Sequence, residues 1–156
     1  MVGDEDEVVR SEGGGTEVPR VRFDSKIAVV LCQDLAIWQK LNMTAFLASG
    51  VAASEPSVIG EPYGDASGNA YLAMFGQPVL VFAGSAEVVR CAYERAMERG
   101  IRLALFTEEL FATGNDRDNR AAVEVLTRAE LRVVGFAFRA ERKAADKVLK
   151  GLALHR

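Results

Sequence analysis

The sequence predicts an α/β fold, a sheet with helices on both faces, and three observations lead there. Short, continuous apolar runs rich in β-branched residues recur at 26–32, 78–84, 101–106 and 132–138. Between them lie stretches of ten or more residues with helical periodicity, and turn-forming residues mark the changeovers. An unbroken apolar run fits a strand covered on both sides. Strands alternating with helices of that length place helices over a sheet.

The elements follow in order. Residues 1–22 read as a disordered acidic, glycine-rich tail, and 23–156 as a single α/β domain. The opening "MVGDEDEVVRSEGGGTEVPR" has four consecutive acids, a triple glycine and neither a helical nor a strand period. It cannot bury enough apolar area to offset the entropy of ordering it. "KIAVVLC" (26–32) is the first strand, and "LAIWQKLNMTAFLASGVAA" (35–53) the first helix. Ile37, Leu41, Ala45 and Ala48 share one face of that helix, while Trp38, Met43, Phe46 and Leu47 fill much of the other. A helix apolar nearly all round is buried on two sides, and a partner subunit supplying the second side predicts a homodimer. Residues 54–71, with two prolines and three glycines, read as irregular structure with a short edge strand. "PVLVFAG" is the second strand. Ser85 caps the next helix, Gly100 closes it, and Val89, Ala92, Tyr93 and Ala96 form its buried stripe. "IRLALF" is the third strand, Asp116 caps a helix to about residue 129, "RVVGFAF" is the fourth strand, and "ERKAADKVLKGL" closes the fold as a helix.

Composition narrows the function. A chain of 156 residues, 49 % of them apolar, is long enough for one domain with its own core. The net charge of −3 hides an uneven split: residues 1–20 carry −4, the rest +1, and residues 117–156 alone +5. A dedicated nucleic-acid binder shows a stronger excess, so nucleic acid is not an expected partner. Lys143, Lys147 and Lys150 read as the wet face of the last helix. No segment is apolar for long enough to cross a bilayer or to act as a signal peptide, so the expected address is the cytoplasm. Two cysteines, Cys32 and Cys91, make neither a disulfide framework nor a zinc site. His155 is the only histidine, which argues against a histidine-rich metal centre and against a histidine-assisted nucleophile. No metal or cofactor is expected.

Ligands of open α/β sheets gather at the carboxyl ends of strands. That rule selects Cys32-Gln33-Asp34 with Trp38, Gln39, Lys40 and Asn42, and the stretch from Thr107-Glu108-Glu109 to Thr113-Gly114-Asn115. Asp34 is a candidate base or a dipole partner, and Lys40 a candidate anion ligand or base. Glu108 and Glu109 are neighbours whose side chains diverge, so at most one faces a pocket. Cys32 reads as a core residue. Gly114 permits a backbone shape closed to other residues. The following helix start, with Asn119 and Arg120 in its first turn, offers N–H groups and a guanidinium to an anion. For all of these to act together, Lys40 and the rim around Gly114 must share one cavity.

"KIAVVLCQDLAIWQKLNMTAFLASG", "QPVLVFAGSAEVVRCAYERAMERGIRLALFTEELFATGNDRDNRAAV" and "ADKVLKGLALH" resemble the DUF2000 family of uncharacterised small bacterial proteins across about residues 24–155. That family is similar in fold to type II peptidyl-tRNA hydrolases. The resemblance implies a three-layer α/β/α sandwich on a mixed, mostly parallel sheet of four to five strands, commonly dimeric. It also implies roles: Asp34-Leu35 and Lys40 echo the hydrolases' opening, Glu108 stands for their acid and Thr113 for their hydroxyl. The leading expectation is a small-molecule enzyme, or enzyme-like protein, acting on an acyl or amide bond. Asp34, Lys40, Glu108 and Thr113 would do the chemistry, while Trp38, Asn42, Glu109, Gly114, Asn115 and Arg120 hold the substrate. The alternative is a non-catalytic module binding an anionic metabolite or a protein partner. Peptidyl-tRNA hydrolysis itself is a third reading.

Overall fold

The computed structural model describes residues 21–156. The tail expected at 1–22 lies outside the described residues except for Val21 and Arg22. In chain order the elements are β1 (Ser25–Cys32), α1 (Ile37–Ser54), a small hairpin of β2 (Tyr63–Gly64) and β3 (Ala70–Tyr71), β4 (Val79–Gly84), α2 (Ala86–Glu98), β5 (Leu103–Thr107), α3 (Asp116–Glu124), β6 (Val133–Glu141), α4 (Arg142–Leu149) and β7 (Ala153–Leu154). Single 3-10 turns occupy Pro56–Val58 and Glu108–Ala112.

Five strands form the main sheet in the order β5-β6-β1-β4-β7. β1 is central, and Ile27 to Cys32 are all buried, as an unbroken apolar run requires. Helix α1 packs on one face, against β1, β5 and β6. Helices α2 and α4 pack against each other and against β1 and β6 on the other face, giving three layers. The buried stripe of α2 is Val89, Ala92, Tyr93 and Ala96. Its start is capped by Ser85, whose hydroxyl accepts from the Val88 N–H at 3.3 Å. Gly100 follows its end at φ 66°, a left-handed shape that only glycine adopts without strain.

The sheet is mixed, but it is not mostly parallel. Among the described residues β1–β4 is the single parallel pairing, while β1–β6, β5–β6 and β4–β7 are antiparallel. The cause is the connection after β5. It leaves the sheet at Thr107 and returns at Val133, the residue paired with Thr107. Helix α3 is therefore not a crossover helix: it packs on the Glu108–Ala112 turn. It also stops at Glu124, short of the expected 129, and its cap is Asn115, whose Oδ1 accepts from the Asp118 N–H at 2.9 Å, rather than Asp116. β6 then runs between β1 and β5 in the opposite sense, so β1, β4 and β5 share a direction and end at one edge.

Residues 58–76 form an antiparallel ribbon outside the main sheet, stitched by Gly60 N–H to Met74 O at 2.8 Å and Gly76 N–H to Val58 O at 2.7 Å. At its tip Asp65 accepts from the backbone N–H of Ser67 and Asn69, from the Asn69 amide and from the Tyr71 hydroxyl. Guanidinium groups tie down the connections on the α2 face. Arg90 donates to the carbonyls of Leu131 and Arg128, and Arg95 to those of Val148 and Lys150. No helix among the described residues is long and apolar enough to cross a membrane.

Candidate functional site

At the carboxyl edge of the sheet, α1 and the turn after β5 enclose a cleft of about 310 Å³. Helical spacing puts Trp38, Asn42 and Phe46 on the flank of α1 that faces it. Phe106 rises from the end of β5, and Leu110 and Phe111 come from the 3-10 turn. The aromatic rings touch in sequence. Trp38 meets Phe111 edge-on at 5.7 Å, Phe111 leans on Phe106 at 4.9 Å, and Phe106 meets Phe46 edge-on at 6.2 Å. Thr113, Gly114, Asn115, Asp116 and Asn119 form the opposite, polar rim. The Thr113 hydroxyl lies 2.9 Å from the Leu110 carbonyl and also contacts Asn119 Oδ1. It therefore braces the turn against α3.

The expected site residues fall into separate groups. Trp38, Asn42, Thr113, Gly114 and Asn115 line the cleft together. Lys40 does not: it lies on the other flank of α1, in a second groove, with its Nζ 3.3 Å from His155 Nε2. The single cavity that would join Lys40 to the Gly114 rim is absent, because two positions along a helix turn a side chain by about 200°. Glu108 and Glu109 both turn to Arg132, at 3.2 and 2.9 Å, and neither lines the cleft. Its own backbone N–H holds the Glu109 carboxyl below the usual range, helped by Arg132 against partial desolvation. Arg120 pairs with Asp116 one helical turn away, on the surface. Asp34 is exposed in the turn after β1. Gly114 is not left-handed, and a Cβ there would meet nothing within 4 Å, so its backbone does not demand glycine. Among the described residues no three His, Cys, Asp or Glu side chains gather where they could hold a metal.

Phe106, Leu110 and Phe111 line the cleft without having been among the expected site residues, and three further contributors also escaped the sequence reading. Phe46 looked like core, since helical period reports an apolar face but not what stands opposite. Arg132 precedes a strand and carries no local signal. His155 looked remote, yet β7 pairs with β4 and the His155 N–H donates to Val81 O at 2.8 Å, which fixes it beside Lys40.

The family profile described as "Protein of unknown function (DUF2000)" matches residues 25–156. The chain belongs to the DUF2000 family. Among curated proteins none matches it. It is similar to a solved structure, that of the protein of unknown function Atu0240 from Agrobacterium tumefaciens strain C58. The two are 48 % identical with a TM-score of 0.84, over 86 % of this chain and 100 % of that one. The DUF2000 match spans both flanks of α1, the Glu108–Ala112 turn and β7, so the cleft and the Lys40–His155 groove both lie inside the family's extent.

The two thiols of this DUF2000 chain differ sharply. Cys32 is buried at the end of β1, and burial, with Asp34 nearby, pushes its thiol from 9.0 up to about 11. Cys91 is exposed on α2. We expect a thiol reagent at pH 8 to label one cysteine in the native protein and two after denaturation, because thiolate is the reacting form. A raised pKa contributes stability below the unfolded value near 9, and that contribution is lost as pH climbs through about 11. Two labelled sites in the native protein would contradict the buried assignment.

Proposed function

We propose that this protein binds a small uncharged molecule carrying an aromatic ring and an amide or similar carbonyl group, with the ring seated in the cleft between α1 and the Glu108–Ala112 turn. One observation supports this above the rest. Four aromatic side chains wall the cleft, Asn42, Thr113, Asn115 and Asn119 rim it, and among the described residues no lysine or arginine lines it. Edge-on and tilted ring contacts favour a planar guest by roughly 0.5–1.5 kcal/mol per pair beyond burial. Side-chain amides both donate and accept, which suits a neutral amide better than an anion. An anionic guest would find its nearest candidate clamp, Arg120, already paired with Asp116.

Cleavage of an acyl or amide bond is the second reading, and the Thr113 hydroxyl on the rim is what favours it. A hydroxyl nucleophile needs a base within hydrogen-bond reach. Here Thr113 faces the Leu110 carbonyl and Asn119, and the one carboxylate on the rim among the described residues, Asp116, is engaged by Arg120. Binding without turnover is therefore the conclusion.

Trp38 is the chain's one tryptophan, so its emission reports on the cleft directly. Titration with N-acetyl-phenylalanine amide should give a saturable change, and free N-acetyl-phenylalanine a weaker one. Phe111→Ala and Asn119→Ala should each weaken the amide by about five- to ten-fold, the scale of one lost ring pair or hydrogen bond. Preference for the carboxylate, or no saturable response, would sink the reading. Release of free amine or acid on prolonged incubation would replace it with the enzyme.

A further inference from the structure

On the flank of α1 turned away from the cleft lies an open groove of about 540 Å³. Leu31 and Val81, from adjacent parallel strands, line its sheet side, and Ile37, Leu41 and Ala45 its helix side. Ile37 and Leu41 are 76 % and 68 % exposed, so no part of the described chain covers them. The Thr44 hydroxyl on the lining is spent on the Lys40 carbonyl at 2.7 Å, which leaves the polar chemistry of the groove where Lys40 Nζ stands 3.3 Å from His155 Nε2. Lys40 has no carboxylate within ion-pair distance among the described residues. An ammonium has three N–H donors, and the imidazole takes one.

We infer that this groove is a second ligand site, taking an amphiphilic monocarboxylate with its aliphatic body along Leu31, Leu41 and Val81 and its carboxylate on Lys40. Charge complementarity selects this occupant over a second copy of the chain, the other way to cover an apolar helix. A two-fold contact sets the same patch against itself, and α1 carries no acid from Ile37 to Ser54. Such a contact brings two Lys40 ammonium groups into an apolar interface with no partner on the helix, and an unpaired buried charge is strongly unfavourable. A carboxylate supplies the missing acceptor, and its tail removes apolar surface from water. His155 positions the ammonium by accepting from it, and the pairing of β7 with β4 holds His155 there.

The full chain is titrated calorimetrically with decanoate and with decan-1-ol, both below their aggregation limits, while molar mass is recorded on the same samples. Decanoate should bind about ten-fold more tightly than the alcohol, the value of one charge-assisted hydrogen bond. Lys40→Met should bring the two within about three-fold of each other. Ala45→Trp, at an exposed position, should abolish both without lowering the unfolding midpoint. The inference is overturned if decanoate has no advantage over decanol, if Lys40→Met leaves that advantage intact, or if Ala45→Trp binds as the parent does. It is equally overturned if the chain is dimeric and takes up neither ligand, which assigns the face to a second copy.

Discussion

Gly135→Ala should destabilise the protein by about 3 kcal/mol, the upper part of the range for overpacking a core by one methyl. Gly135 lies on β6 beneath α1. A Cβ there would stand 2.6 Å from Met43 Sδ, 2.9 Å from Met43 Cε and 2.9 Å from the Val30 carbonyl oxygen. Met43 is fully buried, so its thioether can yield only by displacing its own neighbours. The Val30 carbonyl belongs to the central strand and cannot yield without disturbing the ladder between β1 and β6. A double-mutant cycle separates the two contacts. In a Met43→Ala background the alanine should cost less, and the residue of its cost then belongs to the carbonyl. Urea unfolding provides the measurement, and a loss under about 1 kcal/mol in the parent background would contradict the packing described.

Phe136→Ala, one residue further along the same strand, should cost about 3–5 kcal/mol for the opposite reason. Its ring points to the other face and is fully buried. It meets Tyr93 of α2 edge-on at 6.2 Å and stacks with Phe138 at 6.0 Å. Removing it leaves a void among Tyr93, Phe138 and the buried stripes of α2 and α4, which backbone on both sides prevents from collapsing. Domains of this size are stable by roughly 5–15 kcal/mol, so the variant should lose a large share of that margin. A midpoint shift equivalent to less than about 2 kcal/mol would mean that the two helices close over the gap. The pair of substitutions tests the layering itself: adjacent positions, opposite faces, one with no room for a methyl and one with no tolerance for its loss.

How far these features were legible from the residues varies with how local their cause is. Burial on both faces of β1 follows from Ile27 to Cys32 being an unbroken apolar run, and the Ser85 cap and Gly100 stop of α2 follow from chemistry within one turn. The carboxyl edge of the sheet as the place for a cleft followed from the α/β pattern, and Trp38, Asn42, Thr113, Gly114 and Asn115 do meet there. Lys40 does not join them, since two residues along α1 carry it to the opposite flank. Helical period marked both flanks as apolar. It could not say that Phe111 closes one while His155 borders the other.

Strand direction shows the same boundary. Apolar run and turn chemistry are short-range properties, and they made β6 a buried strand whichever way it ran. Its antiparallel insertion between β1 and β5 was decided by the 108–132 connection leaving and re-entering the sheet at one edge. Local propensity and burial pattern are written residue by residue. Pairing between segments about a hundred positions apart, such as Lys40 with His155 or Cys32 with Val133, depends on which surfaces the packed layers bring together. The sequence by itself determined most of the elements and their buried faces; the tertiary structure alone decided strand direction and which side chains share a cavity, because both are properties of the packed whole.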